Sequence, residues 1–64
     1  MSNESVRERV KNYIEEYGTS YSKIGRDCGF DSKSYYLISR FMRGQKLSDI
    51  TLQAVDSYLV KRGF

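Results

Sequence analysis

Four stretches of this chain carry apolar residues at three- and four-residue steps, and each is closed by a glycine: Gly18, Gly29, Gly44 and Gly63. Such steps line up side chains on one face of an α-helix. A glycine just past the last of them is a common helix stop, because it accepts the left-handed turn. The spacing predicts a first helix over Glu4 to Tyr17, with Val6, Val10, Tyr13, Ile14 and Tyr17 inward and Ser2 or Asn3 as its cap. A second runs from Tyr21 to Cys28, capped by Ser20 or Thr19, with Ile24 and Cys28 inward and Tyr21 beside them. A third runs from Ser32 to Met42, capped by Asp31, with Tyr35, Ile38 and Phe41 or Met42 inside. A fourth runs from Asp49 to Lys61, capped by Ser48, with Leu52, Val55 and Leu59 inside and Ile50 and Tyr58 flanking them. No stretch alternates apolar and polar residues, and no proline interrupts a helix. The expected fold is all-α, a compact bundle of four short helices forming a single domain over residues 1–64.

Composition narrows the chemistry. The 64 residues include no His, no Trp and a single Cys, Cys28. One cysteine excludes an internal disulfide, and without histidine a zinc site has too few ligands. The usual general base is also missing. No nucleophile–base pair can be assembled, so neither an enzyme nor a cofactor, metal or small-molecule substrate is expected. No stretch approaches the roughly 20 apolar residues that span a bilayer, and Met1 to Val10 is too polar for a signal peptide. A lone thiol, read here as a small buried hydrophobe, fits a cytosolic protein.

The net charge is +3, and its distribution says more than its size. In residues 1–19, Arg7, Arg9 and Lys11 face Glu4, Glu8, Glu15 and Glu16, for −1. In residues 20–46, Lys23, Arg26, Lys33, Arg40, Arg43 and Lys46 face Asp27 and Asp31, for +4. In residues 47–64 the charges cancel. A localised basic segment is the footprint of a phosphate-binding surface, or simply a solvated face.

The second and third stretches are short and joined only by Gly29-Phe30-Asp31, the layout of a helix-turn-helix. Ser20-Tyr21-Ser22-Lys23-Ile24-Gly25 followed by Gly29 resembles the opening of the Cro/CI-type (XRE-like) phage-repressor motif. In that motif a capping Ser or Thr precedes an apolar–small pair, and glycine follows. Ile38-Ser39-Arg40-Phe41-Met42-Arg43-Gly44 resembles the end of the family's recognition helix. The spacing of Leu52, Val55 and Leu59 is similar to that of the helix after it. The resemblance covers residues 19–59 and departs in two places. Gly29 to Ile38 is longer than the family's stretch by nearly a helical turn, which either extends the turn or lengthens the start of the third helix. Asp31 as a cap and Tyr35 in register with Ile38 favour the longer helix. Asp56 stands where the family prefers a small apolar residue, which predicts a looser seat for the fourth helix.

The resemblance implies a sequence-specific double-stranded DNA-binding regulator, a Cro-like repressor of a bacterial cytoplasm or a phage-infected cell. Its third helix would enter the major groove. Arg40 and Arg43 are then base or phosphate contacts, with pairing to the helix dipole as the alternative. Ser32, Lys33 and Ser34 start the third helix, where they hold phosphate or merely cap. Tyr36 and Ser39 are on its outer face, and Tyr36 otherwise packs against the first helix. Ser20, Tyr21 and Lys23 open the second helix, near the DNA backbone in this motif. Gln45 and Lys46 follow the third helix and can clasp phosphate. One subunit reads about half a turn of DNA, so a homodimer on a pseudo-palindromic operator is expected. Tyr58, Val60 and Phe64 are the candidate two-fold contact. The alternative is a small mobile-element protein that uses a helix-turn-helix scaffold to bind and inhibit a host protein.

Overall fold

The computed structural model describes residues 2–30 and 36–64, and its helices are α1 (Asn3–Tyr17), α2 (Tyr21–Asp27), α3 (Tyr36–Met42) and α4 (Asp49–Val60). Among the described residues there is no strand, so the all-α expectation holds. Asp31, the expected cap of the third helix, and Tyr35, expected in its inner stripe, lie outside the described residues. None of the helices is long and apolar enough to cross a membrane.

Serine starts three of these helices. The hydroxyls of Ser2, Ser20 and Ser48 accept from the backbone N–H groups of Ser5 (3.0 Å), Lys23 (3.2 Å) and Thr51 (3.4 Å). Each thereby satisfies a donor that has no partner inside its helix. Glycine ends them. At Gly29 (φ 91°), its N–H donates to Arg26 O and that of Phe30 to Gly25 O. Gly44 (φ 111°) repeats the pattern, with donors on Gly44 and Gln45 and acceptors on Phe41 and Arg40. These paired bonds are the Schellman ending, and they need a residue that tolerates positive φ.

One core joins the four helices. Val6, Val10 and Tyr13 come from α1, Ile24 from α2, and Ile38 and Phe41 from α3. Leu52, Val55, Tyr58 and Leu59 come from α4, and Cys28, Phe30, Met42 and Leu47 pack against the margin. α1 lies on α4 and α3, and α2 lies on α3. Gly25 is buried within α2. The Cα radius of gyration, 10.3 Å, matches the roughly 10.7 Å of a folded chain this long.

Four apolar residues sit differently from the sequence expectation. Tyr58, expected on the surface as a two-fold contact, is buried at 5% exposure. It completes the α4 stripe, meeting Tyr13 edge-on at 5.6 Å with the two hydroxyls 3.1 Å apart. Tyr17, expected inside, is 61% exposed, because in the last turn of α1 it meets the rings of Tyr13 and Phe64 and no full layer of core. Tyr21, expected beside Ile24, is 40% exposed. Ile50 is 82% exposed, since helical geometry turns it about 160° from Leu52. Asp56, at the expected small apolar position, is half-buried and pairs with Arg9 of α1. Arg9 Nε also donates to Phe64 O (2.7 Å).

Ile38→Val is expected to cost about 0.5–1.5 kcal/mol in urea unfolding, whereas Ile50→Ser stays within about 0.5 kcal/mol. Gly44→Ala meets no atom within 4 Å. Its expected loss of about 1–2 kcal/mol comes from backbone strain alone.

Candidate functional site

α3 has two faces of opposite character. Ile38 and Phe41 are fully buried, while Tyr36, Arg40 and Arg43 are exposed and Ser39 is half-buried. Arg40 follows Tyr36 by one turn, and its guanidinium carbon lies 5.1 Å from the centre of the tyrosine ring. An exposed pair of this kind holds an otherwise free arginine over an aromatic face. Arg43 sits just past the helix end, its N–H shared between the carbonyls of Ser39 and Arg40.

The loop after α3 is tied to α1. Arg7 Nε donates to Phe41 O (2.6 Å), and Arg7 Nη2 donates to Gln45 O (3.2 Å). The same guanidinium lies 4.8 Å from the centre of the Phe41 ring. One turn earlier on α1, Asn3 Oδ1 accepts from Leu47 N–H (2.8 Å). The exposed side chains of Gln45 and Lys46 stand between these anchors.

On α2, Ser20, Tyr21, Lys23 and Arg26 are exposed. The Ser20 hydroxyl is used as a helix cap. Lys23 Nζ is 3.8 Å from Asp27 Oδ2, an exposed pair one turn apart that leaves the ammonium accessible. Ser32, Lys33 and Ser34, expected at the site, lie outside the described residues.

Structure sharpens the charge asymmetry. Within residues 20–30 and 36–46, Lys23, Arg26, Arg40, Arg43 and Lys46 face Asp27 alone, and all six are exposed, which leaves +4. On α1, Glu4, Glu8, Glu15 and Glu16 are exposed, whereas Arg7 and Arg9 are half-buried in contacts. Only Lys11 offsets the four glutamates on that surface, for −3. Turning two arginines inward makes the outside of α1 acidic and leaves the excess cations on α2, α3 and the loop.

Sequence reasoning counted Arg7 and Asn3 only as a charge and a cap. Their partners are about 40 residues away, beyond any local pattern. The available signal was their place, one turn apart on the flank of the Val6–Val10 stripe, where polar side chains meet neighbouring elements.

A second feature is a cleft of about 380 Å³ between the ends of α2 and α4, with Asp27, Cys28, Tyr58, Lys61 and Arg62 among its walls. Burial pushes the Cys28 thiol up to about 11, against an opposing pull from Arg62 and with a smaller push from Asp27. Burial also raises the Tyr58 hydroxyl, reinforced by its hydrogen bond to Tyr13. Arg62 covers the Tyr58 ring, its guanidinium carbon 3.6 Å from the centre. A neutral thiol is a poor nucleophile. Among the described residues, no group of three or more His, Cys, Asp or Glu is placed to hold a metal ion. No family model, curated protein or solved structure matches this chain.

The Cys28 thiol yields a direct test. At pH 8, iodoacetamide is expected to alkylate it at least about tenfold more slowly in the folded protein than in urea, by mass spectrometry. Below pH 9 folded and unfolded thiols both keep their proton. Between about 9 and about 11 the unfolded thiol loses it first, so stability falls as pH rises through that window.

Proposed function

We propose that the protein is a sequence-specific double-stranded DNA-binding regulator in which α2 and α3 act as a helix-turn-helix. One observation carries this reading: α3 buries Ile38 and Phe41 while its outer face offers Tyr36, Arg40 and Arg43, with Lys46 just beyond. In the major groove, an arginine at that position faces the acceptor edge of guanine, and the tyrosine ring suits a thymine methyl. Lys23, Arg26 and Lys46 are exposed cations suited to phosphate, which fixes register without reading sequence. The acidic outer surface of α1 repels DNA, so it favours approach through the exposed cations of α2, α3 and the loop.

Specific binding calls for two copies on a pseudo-palindrome, since one copy reads about half a turn. With Tyr58 in the core, the remaining candidates for contact between copies are Val60, 61% exposed, and the edge of Phe64 left by Tyr13 and Tyr17. The mechanism we propose is occlusion of a promoter or operator. A second reading, inhibition of an acidic host protein, is favoured by the apolar exposure of Tyr36 and Ile50, which a phosphate backbone does not require.

Selection from random duplex DNA, followed by fluorescence anisotropy, tests the proposal. The expected result is a palindromic consensus and an affinity that falls with salt, each neutralised phosphate contributing about −0.9 to the slope of log K against log salt. Arg40→Ala should weaken the selected site by about 1–3 kcal/mol and relax its sequence preference. Equal loss on random DNA would reduce Arg40 to a phosphate contact. No binding to any duplex at low salt would overturn the proposal in favour of a protein partner.

A further inference from the structure

We infer that Asn3 and Arg7 of α1 are positioning residues that hold the loop after α3 ready for one phosphate of a duplex, with Lys46 as the contact. The inference rests on the DNA-binding reading above. Lys46 is bracketed by two anchors from one helix: Arg7 holds the Gln45 carbonyl before it, and Asn3 holds the Leu47 N–H after it. The loop is also fastened at its root, where Phe41 O accepts from both Gly44 N–H (3.1 Å) and Arg7 Nε (2.6 Å). Gln45 N–H donates to Arg40 O, so the backbone on either side of Lys46 is spoken for. The Lys46 side chain stays exposed.

This arrangement has a physical use. A lysine on a loose loop gives up backbone freedom when it meets a phosphate, whereas a lysine on a fixed loop has less to lose. Arg7 suits the task because its planar guanidinium reaches two carbonyls while stacking on Phe41, which an ammonium cannot do. The anchors also lie at the C-terminal end of α3, so a cation there complements its dipole and steadies the turn that carries Arg40 and Arg43.

The test uses the full chain with Arg7→Lys, Asn3→Ala and Lys46→Ala, singly and paired, on the DNA selected above. Urea midpoints are recorded for each. Asn3→Ala removes one hydrogen bond and serves as the mild variant should Arg7→Lys fold poorly. Amide hydrogen exchange at Gln45 and Leu47 is expected to quicken in both anchor variants without DNA. Affinity should fall about threefold to tenfold, the scale of one net hydrogen bond. In the Lys46→Ala background the same changes should cost little more, because positioning acts through Lys46. Equal loss with and without Lys46, or unchanged loop exchange, would make the anchors merely structural and overturn the inference. No duplex binding by the unaltered protein would instead overturn the reading on which it rests.

Discussion

Neither α2 nor α3 can stand alone. Each has seven residues among those described, well below the roughly 12–15 at which an isolated helix becomes even marginal in water. They exist because Ile24, Ile38 and Phe41 are removed from solvent against each other and against α1 and α4. Two constraints make that burial sufficient. Serine and glycine close α2 at its ends, so little is lost to fraying. Among the described residues, the inner faces use Ile24, Ile38 and Phe41, and Tyr36, Arg40 and Arg43 stay exposed. Tyr36, Arg40 and Arg43 are therefore free to be selected for what they touch outside the molecule.

Long-range polar ties then set the frame around these short helices. Arg7 and Asn3 fix α1 to the end of α3, and Arg9 fixes it to Asp56 and to the carbonyl of Phe64. Tyr58 adds a further link, its hydroxyl lying between Tyr13 of α1 and Asp27 of α2. These groups are mostly half-buried, where a hydrogen-bonded charge gains more than at the surface without the full cost of burial. α1 thus acts as a spine. It supplies apolar side chains to the core on one side and arginines to its neighbours on the flank, and it presents glutamates to solvent.

Helix periodicity and stop signals were legible in the chain, because both are local. Ser2, Ser20 and Ser48 cap where their spacing predicts, and Gly18, Gly29, Gly44 and Gly63 all take positive φ. The outward face of α3 followed from the same periodicity. What escaped depends on partners far along the chain. Tyr58 lies at the edge of the α4 stripe, and only the arrival of Tyr13 decides that it is inside. Tyr17 has the right phase on α1 but sits where the neighbouring helices no longer cover it. Asp56 is unwelcome in an apolar seat until Arg9 meets it. Arg7 reads as surface charge until Phe41 and Gln45 are brought to it.

The burial of Tyr58 also removes it from any surface on which two copies could pair. A stable interface between copies buries at least about 1,000 Å² in total. Val60 and the outer edges of Tyr17 and Phe64 are a few side chains, and part of the two rings is already used within one copy. The operator proposed above would add a further constraint. Two copies bound at adjacent half-sites are confined at high effective concentration, and a weak contact then adds to both. Under the DNA-binding reading proposed above, cooperative loading of two copies on DNA is the form of pairing that this patch suits.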